Sequence, residues 1–150
     1  MQKIPFEIIK LQADGYHIIT EVELYDRKFK LVIDTGASKT VLDKTTLLNS
    51  GIQEEHFETT DILSTGLGTN SMESFMLTIP EFKMKEWSIK NFTTAVLDLS
   101  SINYAYEQIG IDPVIGVLGG DILKEYGGMI DYKKNQLTLN QRKLNLNKRR

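Results

Sequence analysis

Apolar and polar residues alternate along much of the chain in short runs, and turn-forming residues separate the runs. Two such runs, at residues 6–11 and 16–24, flank an Ala-Asp-Gly segment, and Asp-Gly is a strong signal for a β-hairpin. A third run covers residues 28–33 and stops abruptly at Asp34. The pattern therefore predicts that the chain begins with a hairpin and a third strand.

The rest of the chain continues in the same way. Further strands are expected at residues 40–42, 59–63, 72–79, 87–97, 114–118, 129–132 and 136–139. Short helices are expected at residues 43–49, 100–110 and 121–126, with Asp43 and Asp121 as N-caps of the first and the third. We find no repeat and no linker, so the pattern predicts one mostly-β domain with two or three short helices.

Composition limits what this domain can be. The chain has 150 residues, of which 41% are apolar and 25% charged, so it can build one complete core but not two lobes. A net charge of -2 indicates neither a nucleic-acid nor a membrane partner. Five Lys/Arg residues and no acid fall in the last ten positions. We therefore divide the chain into a domain at residues 1–140 and a basic tail at residues 141–150.

Cysteine is absent, which excludes disulfides, thiolate metal sites and cysteine nucleophiles. Near the N-terminus, Lys3, Glu7 and Lys10 interrupt any apolar stretch of the kind that a secretory signal needs. No later segment approaches the roughly 20 apolar residues of a membrane helix. These features predict a cytoplasmic protein without a membrane span, although an exported chain that had already been trimmed would look the same.

The first candidate for chemistry is Asp34, which follows an apolar strand and precedes Gly36. Because an apolar strand draws its end into the core, we expect this carboxylate to lie near the interior. A carboxylate held there must be hydrogen-bonded, paired or engaged in acid–base chemistry. The alternative is that Asp-Thr-Gly simply forms a turn, since Asp and Gly are favoured in turns.

The second candidate is the glycine-rich segment at residues 116–120. Glycine-rich turns before helices can bind phosphate through backbone N–H groups, but the Walker pattern requires Lys and Ser or Thr after the glycines. Here Asp121 follows instead, which argues against phosphate. The alternative is structural, because small glycines after a buried strand allow a helix to pack closely on a sheet.

Together, the segments Val32-Ile33-Asp34-Thr35-Gly36-Ala37-Ser38 and Val117-Leu118-Gly119-Gly120-Asp121-Ile122-Leu123 resemble the retropepsin-like aspartic proteases. A glycine-rich hairpin tip at residues 64–71 (the flap segment) lies between the two motifs. The resemblance covers roughly residues 15–140. It implies a closed β-barrel of the acid-protease type that is active as a homodimer on a peptide or protein substrate, with no cofactor and no metal.

The resemblance also implies roles for individual residues. Asp34 would be the catalytic aspartate, Thr35 would hydrogen-bond across the dimer, and Gly36 would place its backbone against the substrate. Further substrate contacts would come from Ala37, Ser38, Leu118 and the flap residues Ser64, Thr65, Gly66, Leu67 and Gly68. Retroviral members have Arg in the position of Gly120 and an acid in the position of Ser38. Because both partners are absent here, the chain is more similar to the bacterial and cellular branch.

The chemistry of paired carboxylates leads to the same mechanism. Two adjacent carboxylates share one proton, so the pair can activate a water and protonate the scissile carbonyl. The sequence contains one Asp-Thr-Gly, so the second aspartate must come from another chain, and two-fold symmetry would bring two Asp34 residues together. We expect the alternating leucines Leu137, Leu139, Leu144 and Leu146 to extend the final strand into the tail and to contribute to that interface.

Two other functional classes remain open. One is a protease-fold binding or dimerisation module that is catalytically weak or inactive, and the other is a phosphate- or small-molecule-binding barrel. His17 and His56 are isolated and predict no metal site. Trp87 is expected in the core, whereas Tyr104 and Tyr106 are expected to pack on a helix face from which they could reach a cleft.

Overall fold

Strands dominate the structure, a computed structural model that describes residues 1–11, 15–59 and 74–144. The strands are β1 (Gln2–Leu11), β2 (Gly15–Leu24), β3 (Arg27–Ile33), β4 (Val41–Asp43), β5 (Glu58–Thr59), β6 (Phe75–Met84), β7 (Trp87–Leu97), β8 (Val114–Leu118), β9 (Met129–Asp131) and β10 (Gln136–Leu139). Helices α1 (Lys44–Asn49), α2 (Ser100–Glu107) and α3 (Gly120–Glu125) and a 3-10 turn at Glu54–His56 complete the described part. The predicted mostly-β class is confirmed.

Six of the strands close into a mixed barrel. Within a sheet of order β5-β6-β7-β4-β8-β3-β2-β1-β10-β9, an additional pairing joins β6 to β2 through Glu23 with Lys83 and Leu24 with Phe82. This pairing closes the ring β6-β7-β4-β8-β3-β2. The closed barrel that the resemblance implied is therefore confirmed. Strands β1, β10 and β9 continue the sheet beyond the barrel.

Strand β3 separates two apolar clusters because its side chains alternate between the two faces of the sheet. Leu31 and Ile33 face the main core, which also contains Trp87 as predicted. Val32 faces a second cluster that α2 covers with Tyr106. The strand thus carries buried side chains on both faces and ends at Ile33, directly before Asp34.

The short helices follow their expected boundaries with small differences. Asp43 caps α1 as predicted, and its carboxylate accepts the N–H of Thr46 at 3.1 Å. Helix α2 ends at Glu107 rather than at Gly110, whose φ of +76° closes the turn that follows. The longest described helix has eight residues, so none of the helices in the described ranges could cross a membrane.

Strand β6 extends further than the sequence predicts. The predicted strand ends at Ile79, but the observed strand continues past Pro80, which lacks an N–H, to Met84. Pro80 lies between two paired positions of β6, and Asn91 occupies the corresponding place on β7 with φ of +51°. The local distortion at Asn91 lets the ladder pass the proline and resume beyond it.

The expectation that alternating leucines extend β10 into the tail is wrong for the described residues. Leu137 and Leu139 are fully buried in the core of their own subunit, and β10 ends at Leu139. The N–H of Leu144 donates to the carbonyl of Glu125 at 2.7 Å, so the chain turns back towards α3. Leu146 and the flap segment lie outside the described residues.

Candidate active site

Asp34 lies at the first position after β3, where the chain leaves the barrel in a tight turn. The N–H of Asp34 still bonds to the carbonyl of Leu118 at 3.0 Å, so β8 holds the start of the turn. The Oδ1 atom of Asp34 accepts the N–H of Gly36 at 2.9 Å, and the N–H of Ala37 donates to the carbonyl of Asp34 at 3.2 Å. These three bonds fix both the backbone and the carboxylate of Asp34.

The carboxylate is exposed in the single subunit, which corrects the expectation that it lies near the interior. The apolar strand keeps its backbone in the barrel only as far as Ile33, which is 5% exposed. Beyond Ile33, the turn directs the side chains of Asp34 and Thr35 to the surface. Asp-Thr-Gly therefore does form a turn, and this turn exposes the Asp34 carboxylate to solvent.

The N-terminus of α3 is hydrogen-bonded to the turn. The N–H of Gly120 donates to the carbonyl of Ala37 at 2.7 Å, and the N–H of Asp121 donates to the carbonyl of Ser38 at 3.0 Å. The N–H of Gly119 donates to Oγ1 of Thr40 at 3.1 Å. The consecutive N–H groups of Gly119, Gly120 and Asp121 are thus all bonded to the turn, which argues against a phosphate site here.

Asp121 also bonds to the turn. It is not the N-cap of α3, contrary to the prediction. The N-cap position is occupied by Gly119, which makes no side-chain cap bond. The Oδ1 atom of Asp121 accepts both the N–H and the Oγ1–H of Thr40, at 3.0 and 2.8 Å. The carboxylate serves a more distant segment because the turn brings Thr40 against the helix. No sequence signal pointed to Thr40.

A second polar pair lies beside the turn, on the face of the sheet that α2 covers. His17 Nδ1 and the hydroxyl of Tyr106 are 2.6 Å apart, and their rings are nearly perpendicular. Burial raises the pKa of Tyr106 to about 12, and the negative charge of Asp34 adds to the increase. Sequence reasoning treated these residues separately because they are far apart along the chain.

Comparison with known proteins identifies the loop. A sequence profile described as aspartyl protease matches residues 20–122, more than half of the chain, including Asp34 and Asp121. The chain belongs to the aspartyl protease family. Among curated proteins, no sequence matches the chain significantly.

Solved structures show which fold of the aspartyl proteases this is. A retropepsin-like aspartic protease from Rickettsia conorii is 24% identical over 92% of this chain and 91% of its own, with a TM-score of 0.53. The retroviral protease-like domain of Ddi1 from Leishmania major is 18% identical over 85% and 90%, with a TM-score of 0.58. EIAV protease, complexed with the inhibitor HBY-793, is 23% identical over 77% and 92%, with a TM-score of 0.50. The chain therefore has the retropepsin-like fold.

Within this aspartyl protease loop, the residues predicted as substrate contacts do not all lie at the surface. Ser38 is exposed and Ala37 is half-buried beside Asp34. Leu118 is fully buried in the main core, so its side chain does not meet the expectation of a substrate contact. Its carbonyl instead holds the turn. The predicted flap residues Ser64, Thr65, Gly66, Leu67 and Gly68 lie outside the described residues.

The positions of the missing retroviral ion pair are adjacent in this chain. A Cβ atom on Gly120 would lie 3.6 Å from the carbonyl oxygen of Ser38. The backbone bonds between the α3 N-terminus and the turn are present although both charged partners are absent. Two backbone hydrogen bonds, the bond from the Gly119 N–H to Thr40 Oγ1 and the Thr40–Asp121 contact therefore connect the segments here.

Depressions flank the turn on two sides. One, of 260 Å³, is lined by His17, Asp34 and Thr35 together with Tyr132. The other, of 490 Å³, runs along residues 35–39 to α3. A larger cleft of 660 Å³ lies away from Asp34, between α1 and α2. Its buried carboxylate, Asp43, accepts hydrogen bonds from backbone and side chains, so this cleft offers no carboxylate that is available for chemistry. The candidate active site is therefore the Asp34 loop, although the depressions beside it are smaller.

No group of three metal-ligating side chains occurs in the ranges that the structure describes, and His17 bonds to Tyr106 instead. The aspartyl protease loop offers one carboxylate, which its own backbone orients. Alone, this carboxylate can accept a proton from water. To share a proton, as the chemistry of paired carboxylates requires, it needs a second carboxylate at the same place.

The Tyr106 environment gives a spectroscopic prediction. We expect one tyrosine to ionise near pH 12 in an ultraviolet titration and this transition to disappear in Tyr106→Phe. Because the pKa in the folded state exceeds the ordinary value of 10, the hydroxyl group contributes stability that is complete below pH 10 and is lost as the pH rises to 12. The same transition in Tyr106→Phe would contradict the assignment.

Proposed function

We propose that the chain is an aspartic endopeptidase that acts as a homodimer, in which each subunit contributes Asp34. One observation carries the proposal: the loop of the aspartyl protease family presents the Asp34 carboxylate to solvent while Gly36 fixes its orientation. An exposed carboxylate held in a set direction is suited to meeting a symmetric copy. It needs no rearrangement of its own subunit to do so.

In the proposed reaction, the two Asp34 carboxylates share one proton. The ionised partner takes a proton from a water molecule, whose oxygen attacks the carbonyl carbon of the scissile peptide bond. The protonated partner donates its proton to the carbonyl oxygen, which gives a tetrahedral diol. The first partner then donates its proton to the amide nitrogen while the second takes a proton from one hydroxyl of the diol. The C–N bond breaks to give a carboxylic acid and an amine, and the pair again holds one proton.

The residues around Asp34 take supporting roles in this proposal. Thr35 is exposed in one subunit, so its hydroxyl is free to bond to the partner loop beneath the carboxylates. Gly36 would bring its backbone against the peptide, because a bulky side chain there would crowd Asp34 Oδ1. Ala37 and Ser38 continue the same surface and would contact the peptide further from the cleaved bond.

Exposed apolar side chains indicate where the subunits would meet. Met1, Met129 and Tyr132 are 66%, 60% and 61% exposed, and they belong to or flank the β1, β10 and β9 part of the sheet. Tyr132 also lines the depression that contains Asp34. Burying large apolar groups drives association, so an interface over this part of the sheet would cover them and bring the Asp34 loops together.

The interface can be tested with Met129→Asp. Met129 lies on an exposed edge strand, so the substitution should leave the fold intact while placing a charge in the interface. We expect the sedimentation coefficient at micromolar concentration to fall from the dimer value to the monomer value, and activity to recover at high enzyme concentration. Tyr104→Asp, at an exposed site on α2, is the matched control. A fully dimeric Met129→Asp protein would place the interface elsewhere.

The activity itself is tested with a denatured protein substrate across pH. We expect cleavage that is fastest at acidic to mildly acidic pH and that falls as both carboxylates become ionised. Cleavage by a protein that remains monomeric would contradict the shared site. A stable dimer without cleavage would favour a protease-fold binding module instead.

A further inference from the structure

The apolar cluster beside the Asp34 loop includes a side chain from a distant part of the sequence, Tyr106. Val32 and Asp34 line the same depression, and Val32 pairs in register with Val117 of β8. Both valines are more than nine-tenths buried, and they share the second apolar cluster with Tyr106 of α2. The apolar side chains beside the Asp34 loop are thus packed against Tyr106 of the same subunit.

Tyr106 is fixed in this position at both ends. Its ring is 1% exposed within the cluster, and its hydroxyl bonds to Nδ1 of His17 at 2.6 Å. His17 is half-buried and lines the same 260 Å³ depression as Asp34 and Thr35. No further hydrogen bond of the His17 ring occurs among the described residues, so the bond to Tyr106 is the contact that orients it.

We propose that Tyr106 is a specificity-determining residue, and that its ring, anchored by His17, closes the recess beside Asp34 and so restricts the substrate residue next to the cleaved bond to a small side chain. The inference rests on the proposed peptidase function. In a symmetric dimer, each subunit places its Tyr106 ring on one side of the scissile bond. The restriction therefore applies to both residues that flank the bond, and cleavage should occur between small residues such as Gly, Ala or Ser.

His17 acts as a positioning residue in this proposal. Removing its hydrogen bond would leave the Tyr106 hydroxyl buried without a partner, which costs stability and lets the ring move. His17→Leu should therefore relax the preference for small residues part of the way. His17→Gln, which can still accept a hydrogen bond, should restore it. A purely structural role would change stability without this pattern in substrate choice.

The test uses cleavage-site profiling. The full-length wild type, Tyr106→Phe and Tyr106→Ala are incubated with a peptide pool from a digested proteome, and cleavage sites are read by mass spectrometry. We expect the wild type to cut between small residues, and Tyr106→Phe, which keeps the ring but loses the bond to His17, to relax this preference no further than His17→Leu does. For Tyr106→Ala, we expect kcat/KM for a Phe-containing site to rise relative to an Ala-containing site by about tenfold, because the recess is emptied. Tyr104→Ala, from the exposed side of the same helix, is the control and should keep the wild-type profile.

A binding measurement separates failure of this inference from failure of the proposed activity. In an Asp34→Asn background, two labelled octapeptides that differ only in a central Ala-Ala or Phe-Phe pair are titrated by fluorescence polarisation. We expect the Ala-Ala peptide to bind more tightly, and Tyr106→Ala to reverse the order. A wild type that cleaves nothing would refute the peptidase proposal. The expected reversal of the peptide-binding order in Tyr106→Ala would still support the role of the Tyr106 ring. An unchanged order in a folded Tyr106→Ala protein, with its fold checked by circular dichroism, would overturn the inference.

Discussion

Asp34→Asn is expected to abolish peptide cleavage and to leave the protein folded and dimeric. The amide has the shape of the carboxylate and can still accept the Gly36 N–H through its oxygen, so the turn should persist. With two amides, neither a base for the water nor an acid for the carbonyl remains. We also expect the dimer to dissociate no more readily than the wild type, because two carboxylates repel whenever both are ionised and two amides do not.

The measurement is cleavage of a denatured protein by both forms from acidic to neutral pH, with sedimentation as the check on assembly. Asp26→Asn is the matched control, because Asp26 is an exposed aspartate in the β2–β3 turn with φ of +61°, a conformation that Asn tolerates well. We expect the control to retain wild-type activity. Residual hydrolysis by a folded Asp34→Asn dimer at close to the original rate would remove Asp34 from the mechanism.

Gly116→Ala is expected to cause the largest loss of stability among single methyl additions to the barrel. A Cβ atom at Gly116 would lie 2.0 Å from the carbonyl oxygen of Val41, which is backbone and cannot swing away. Gly116 pairs with Leu42 between β8 and β4, so the clash must separate two strands of the closed ring. We expect the free energy of unfolding to fall by about 3 kcal/mol.

Chemical denaturation of Gly116→Ala against Gly120→Ala checks this expectation. A Cβ atom at Gly120 would meet nothing closer than 3.5 Å, and Gly120 begins α3, where Ala is favourable. Gly120→Ala should therefore unfold at close to the wild-type denaturant concentration. Equal stability of the two variants would mean that β4 and β8 can move apart without cost, contrary to the closed ring.

Much of the fold could be predicted from the sequence because its strands are marked by local patterns. The apolar runs of β2, β3 and β8 and the cap at Asp43 each depend on neighbouring residues only, and each is present. The barrel closure depended on the family resemblance. No local pattern indicates that Leu24 pairs with Phe82 across the barrel.

The errors arose where distant segments decide the outcome. Asp121 is a residue type that is favoured at helix N-caps, but its carboxylate accepts hydrogen bonds from Thr40 instead. The alternation of Leu137 and Leu139 suggested an interface between subunits, but both side chains are fully buried in the core of their own subunit. The contact between His17 and Tyr106 depends on how α2 packs over the sheet, and isolated residues give no signal of it.

Strand β1 has a consequence for how the chain reaches its native state. Its first half pairs with β10, which lies close to the other end of the sequence, while its second half pairs with β2. Pairing of such distant segments must overcome a large loop-closure entropy and is slow to form. On the ribosome, residues 2–5 therefore wait as an open strand edge until residues 136–139 have emerged. We expect chains interrupted before β10 to aggregate through this edge, so the molecule depends on chaperones most strongly in the interval before β10 emerges.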